Sequence, residues 1–193
     1  MRIVATATLV AVAMLGAACG GASREERAKE HFGEYRQAEE ARSEAESVLG
    51  QVFRDISRAA GERDRVGVLA AVGLGEEALA TIERTLATEI AAARALEDYE
   101  PTREDGRRLA EALRQTRAGA RIVGDQLHIA ARDPFLDAAE NAAAISRLSA
   151  HSTRVSVPAA LARRRAVRAI ALTLGVDPPV DVMYDAPQAN PAG

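Results

Sequence analysis

Tryptophan is absent from this chain, and only six of its 193 residues are aromatic. That scarcity leaves no stacking platform for bases and no ring cage for a ligand. A single cysteine, Cys19, excludes an intrachain disulfide framework and a cysteine-only zinc site. No sign of charge dominates: 25 Lys and Arg stand against 28 Asp and Glu, a net charge of −3. This balance excludes a disordered polyelectrolyte and a generic nucleic-acid binder, so no nucleic acid is expected as a partner. What the chain has in abundance is alanine, with 43 residues, so its 48% hydrophobic content consists largely of methyl groups. Length favours one sizeable core, thin in large side chains and rich in close backbone contacts.

The first eighteen residues carry an address. One basic residue, Arg2, precedes an apolar run from Ile3 to Leu15, and the small residues Gly16, Ala17 and Ala18 follow. That is the three-part plan of a secretory signal peptide, and the run is too short to span ~30 Å of hydrocarbon comfortably. Cys19 comes directly after the small residues. The stretch Leu15-Gly16-Ala17-Ala18-Cys19 resembles the lipobox of bacterial lipoproteins. The resemblance implies a diacylglyceryl group on the Cys19 thiol, cleavage that leaves Cys19 as the mature N-terminus, and frequent acylation of its amine. Without it, the same residues form an ordinary signal peptide or a short uncleaved anchor. Two acyl chains suffice for stable anchoring, at ~0.8 kcal/mol per buried methylene. The five residues Cys19 to Ser23 reach ~17 Å at most, so the domain stays close to the bilayer. Gly20 is not the aspartate that the family associates with inner-membrane retention, which leaves an outer-membrane home open in a Gram-negative source.

Beyond the linker the pattern is helical. Ala28, Phe32, Tyr35, Ala38, Ala45, Leu49, Val52, Ile56 and Ala59 recur three or four apart over most of their run, with Ser23 and Glu26 spaced as a capping box. Gly61 is the expected stop. A second stripe holds Leu79, Ile82, Leu86, Ile90, Ala93 and Leu96, with Gly73 and Gly75 as candidate kinks; a third holds Leu109, Ala112, Leu113, Ala120, Val123, Leu127 and Ala131. Asp133-Pro134 marks a restart, His151 to Val157 lacks helical logic, and Pro158 opens a last helix that ends at Gly175. The expected fold is all-α: an antiparallel up-down-up-down four-helix bundle with helices at about 24–60, 62–98 and 102–132, and a broken fourth rod at 134–150 plus 158–174. The domain scheme is then a signal peptide at 1–18, an anchor and linker at 19–23, the bundle at 24–174 and a Pro-rich extended or disordered tail at 175–193. The fragment from Gly73 to Ala80 resembles a tetratricopeptide helix, but no second copy follows at a 34-residue period.

Catalytic chemistry finds little support. His31, His128 and His151 fall at different heights of such a bundle and should not converge, and only a lone Asp125-x-x-His128 approaches the di-iron pattern. No Gly-x-Ser-x-Gly elbow or phosphate loop occurs. The carboxylates of the first two helices are expected on exposed faces with nothing to raise their pKa. The expectation is therefore a non-enzyme with no cofactor and no metal.

Charge layout is the more informative signal. Residues 24–47 hold eight acids against five bases and 76–100 seven against two, whereas 101–132 hold seven Arg against four acids and 133–174 six against three. Acidic rods beside basic rods can select their neighbours through ion pairs at the rim. On the third helix, Arg103, Arg107, Arg114, Arg117, Arg121 and Arg132 fall within an arc of ~80° opposite the apolar face, either as a solvated face or as a ribbon for anionic lipid or an acidic partner. Arg163, Arg164, Arg165 and Arg168 form a second cluster. Arg163 shares the face of Val167, Ile170 and Leu174, so it snorkels or pairs with an acid of the first hairpin. The candidate sites are thus Cys19 for lipidation, and Arg114, Arg117, Arg121, Arg163, Arg164, Arg165 and Arg168 for anionic contacts. A membrane-anchored envelope lipoprotein with a structural or protein-interaction role is expected, partnered by the membrane and an envelope protein. The alternative is a helical carrier for an apolar ligand, or a module for an anionic lipid surface. A wall-clipped rod like the murein lipoprotein, with its C-terminal lysine, is disfavoured because Lys29 is the only lysine.

Overall fold

Ser23 starts the first helix with a complete capping box. Its hydroxyl accepts from the Glu26 amide at 3.1 Å while its own amide donates to the Glu26 carboxylate at 2.6 Å. The structure, a computed structural model, describes residues 22–132 and 138–179. Among these there is no strand, and four long helices account for nearly everything: α1 (Arg24–Gly61), α2 (Arg65–Ala95), α3 (Arg103–Ala131) and α4 (Ala138–Leu174). At 1.5 Å per residue they are rods of roughly 57, 46, 44 and 56 Å. The expected signal segment, Cys19, the expected restart at Asp133-Pro134 and the tail beyond residue 179 lie outside the described residues.

The helix ends are chemically explicit. α1 closes through Arg63, whose φ of 57° puts it in the left-handed region. The amides of Arg63 and Asp64 donate back to the carbonyls of Ala60 and Ala59, a Schellman arrangement built on an arginine rather than on Gly61. Asp64 then caps α2 by accepting from the Gly67 amide at 2.9 Å, which is why α2 starts at Arg65 and not at 62. Between α2 and α3 the chain makes two 3-10 turns, Leu96–Asp98 and Glu100–Thr102. Thr102 is fully buried, and its hydroxyl donates back to Leu96 O at 2.7 Å instead of capping α3. Gly175, with φ 64°, ends α4 through a second Schellman arrangement, Val176 N to Ala171 O and Gly175 N to Leu172 O.

The fourth rod is not broken. α4 continues through His151 to Val157 and contains Pro158. Packing outweighs the local signals here. Gln126 of α3 donates to Ser149 Oγ at 2.8 Å on one side of the expected break, and Ala159 is fully buried on the other. Pro158 removes the donor for the Arg154 carbonyl, but Arg154 is exposed, so water can replace it.

Glycine and alanine let the rods approach closely. A β-carbon at Gly75 would lie 2.7 Å from Leu127 and 3.0 Å from Val52, so α1, α2 and α3 meet there, and Gly75 serves this contact rather than a break. At Gly106 a β-carbon would lie 2.9 Å from the Ala93 carbonyl, and at Gly119 it would lie 2.8 Å from Ser156 Oγ. One core joins all four helices, with Phe32, Leu49, Leu86, Leu113 and Ile170 among its buried members. The Phe32 and Tyr35 rings stack at 6.0 Å.

Candidate functional site

The apolar stripes of α1 and α2 are interrupted at facing positions by two charged residues. Arg42 falls between Ala38 and Ala45, and Glu89 between Leu86 and Ala93; both are buried, at 2% and 0% exposure. Arg42 Nε donates to Glu89 Oε1 at 2.7 Å, and Nη1 to Glu46 at 2.5 Å, while Nη2 lies 3.7 Å from Glu39. Glu39 also accepts from the Tyr35 hydroxyl at 3.0 Å and pairs with Arg163 of α4 at 3.0 Å. Three carboxylates thus share two guanidinium groups in a network that runs from the buried Glu89 out to the exposed Glu46.

The carboxylates of the first two helices do not all lie on exposed faces. Burial pushes the Glu89 carboxyl up to about 7 against the opposing pull of Arg42, and Glu39 and Glu46 add to the rise. Burial, with Glu39 and Glu89, holds the Tyr35 hydroxyl well above its ordinary value. Arg42, although burial works against its charge, is held firmly protonated by Glu89 and Glu46. Glu89 Oε2 has no hydrogen-bond partner. Beside this network lies a pocket of about 260 Å³, lined by Arg42, Glu46 and Arg163 together with Leu49, Leu79, Ile82 and Val123.

The arginines singled out from the sequence divide between two environments. Arg163 faces the interior and joins the buried network. Arg114 and Arg165 meet across a groove of about 780 Å³ between α3 and α4, which Arg107 and Arg108 also line. Arg121 and Arg168 are exposed outside that groove, while Arg117 and Arg164 are half-buried. The seven therefore do not form one surface. No protein-family model matches the chain, and neither a curated protein nor a solved structure shows significant similarity to it.

The histidines stay apart from all this. His31 pairs with Glu34 at 3.0 Å on the surface of α1, and His128 and His151 are exposed. Among the described residues no group of three or more His, Cys, Asp or Glu is placed to hold a metal ion, and no helix is long and apolar enough to cross a membrane. Arg42 and Glu89 were legible as polar interruptions of otherwise apolar stripes; their pairing was not, because it depends on the register between two helices.

Proposed function

We propose that this chain is a lipid-anchored protein of a bacterial envelope, held on the non-cytoplasmic side by acyl groups on Cys19. Its four helices would form an antiparallel up-down-up-down bundle with a structural or protein-interaction role. The observation that carries the reading is the position of the sole cysteine, directly after Gly16-Ala17-Ala18 and four residues before the capping Ser23 that opens α1. The antiparallel arrangement draws support from the order of contacts. Along α1 and α2, Ala59 meets Gly67, Val52 meets Gly75 and Arg42 meets Glu89. Along α2 and α3, Ala93 meets Gly106, Leu79 meets Gly124 and Leu127 meets Gly75. Gly119 with Ser156 and Gln126 with Ser149 do the same for α3 and α4. In each pair one number rises as the other falls.

The test is fractionation followed by crosslinking of the full chain in its native envelope. Membrane recovery that Cys19→Ser abolishes, together with a reproducible envelope partner, is the expected result; a soluble chain with no crosslinked partner counters both halves of the proposal. A second reading, a carrier for a small apolar ligand, rests on the 260 Å³ pocket beside Arg42 and Arg163. Filling it with Ala160→Leu should abolish ligand binding on that reading and leave partner crosslinking intact on the first.

A further inference from the structure

The groove between α3 and α4 is floored by methyl groups and walled by arginines. Ala112 and Ala166, each 2% exposed, line it together with Ala162, Ala169 and the polar Gln115. Arg107, Arg108 and Arg114 rise from α3 and Arg165 from α4. Two carboxylates also line it: Asp105, which with Glu104 pairs with Arg108, and Glu111, which pairs with Arg114. These pairs span single helix turns, with the arginines 63% and 45% exposed, so each can exchange its carboxylate for another anion at little cost. Arg107 reaches Glu97 only at 3.9 Å, and Arg165 makes no ion pair among the described residues. The lining holds four arginines against two carboxylates, with Glu97 and Glu104 at its border, and it leaves Arg165 and Arg107 without a close carboxylate.

We propose that this groove binds the headgroup of an anionic phospholipid. Guanidinium forks match phosphate oxygens in bidentate fashion, and four of them around one concavity exceed what a water-filled crease needs. The alanine floor offers methyl contact and no donor or acceptor, which suits the glycerol and first methylenes of a lipid better than a peptide backbone. Position agrees with chemistry. The groove runs from Asp105, at the start of α3, and Gly106 packs on the Ala93 carbonyl and Leu96. That same corner, through Ala95 and Tyr99, borders a cleft shared with Arg24 and Ala28 of α1. The groove thus lies toward the end of the molecule where Ser23 caps α1. It shares the membrane as its setting with the lipid-anchor reading but does not depend on the anchor.

The experiment follows the arginine Nε–H resonances of the full chain during titration with three soluble probes: dihexanoyl phosphatidylglycerol below its micelle concentration, dihexanoyl phosphatidylcholine, and inorganic phosphate. The phosphatidylglycerol should shift Arg107, Arg108, Arg114 and Arg165 at least tenfold more tightly than the other two, with binding weakened by added salt. The triple variant Arg108→Gln, Arg114→Gln and Arg165→Gln should lose at least tenfold in affinity. A charge-matched control, Arg84→Gln, Arg94→Gln and Arg121→Gln, should bind as the parent does, and both variants are checked for parent-like helicity and melting. If the groove variant does not fold, the parent's per-residue shifts decide alone. Equal response to phosphate, equal response to the phosphatidylcholine, or shifts spread over arginines outside the groove would overturn the proposal. The anchor is read separately, from the mass of the Cys19 peptide, so each reading can fail without the other.

Discussion

Arg42 sits where an apolar side chain would ordinarily fill the seam between α1 and α2, and its guanidinium faces three carboxylates. Removing one partner of such a buried pair leaves the other charge unmatched, so Arg42→Met should cost about 3–5 kcal/mol. The double variant Arg42→Met with Glu89→Leu should recover most of that loss in urea unfolding, because two apolar groups need no partners. Full additivity of the two single changes would show that the pair is not coupled. The same residues set a pH dependence. Glu89 has a folded pKa of about 7 against an ordinary 4.5, so the folded state binds the extra proton between those values. Its contribution is fully present below about 4.5 and is lost as pH rises through about 7, on the order of 1–3 kcal/mol. Tyr35, Glu39, Glu46, Arg42 and Arg163 are the charged or titratable groups around it, and Glu89→Gln should flatten the slope between pH 5 and 8 in thermal melts. An unchanged slope would assign it to other carboxylates. At this scale the sequence was partly readable. Periodicity marked both positions, but counting only apolar letters assigned the acids of these helices to the surface.

α4 is the element on which local and tertiary signals disagree most. Its middle carries Ser, Thr, two β-branched valines and a proline, yet it remains one helix because α3 meets Ser149 and Ser156 before Pro158 and Ala159, Ala166 and Ile170 are buried beyond it. The proline is exposed and fills no core position, so its backbone cost stands without compensation. Pro158→Ala should stabilise the protein by about 1–3 kcal/mol, less than the full helix-interior difference because proline also restricts the unfolded chain. Melting should rise by ~2–4 °C per kcal/mol, and a fall would mean that the proline shapes a bend on which the packing depends. The other boundaries were close to legible. Capping chemistry at Ser23 and the left-handed Gly175 marked ends that spacing alone leaves uncertain by a few residues. α1 ends at Gly61 as its position suggested, but the residue that takes the left-handed conformation beyond it is Arg63. A sequence gives no reason to choose an arginine over a neighbouring glycine there.

Across the whole molecule the charges are divided, with an acidic α1/α2 half and a basic α3/α4 half. Ion pairs that cross between helices include Arg42 with Glu89 and Arg163 with Glu39, whereas most others join residues three or four apart on one helix. Arginines on the α3/α4 groove therefore remain largely available to an outside anion. The all-helical class and the first three long rods followed from periodicity, since stripes of thirty or more residues have few other uses, whereas the fourth was expected in two pieces. The groove did not, because Arg114 and Arg165 come from different helices and share a wall only once α3 and α4 are side by side.

The membrane-anchor reading converges on one atom, the thiol of Cys19. Its direct measurement is the intact mass of the N-terminal peptide from chain recovered in the membrane fraction. The expected species begins at Cys19, lacks residues 1–18, and carries a diacylglyceryl group on sulfur with or without a third acyl chain on the amine. A peptide that retains the first eighteen residues, or one cleaved elsewhere with Cys19 unmodified, would contradict it.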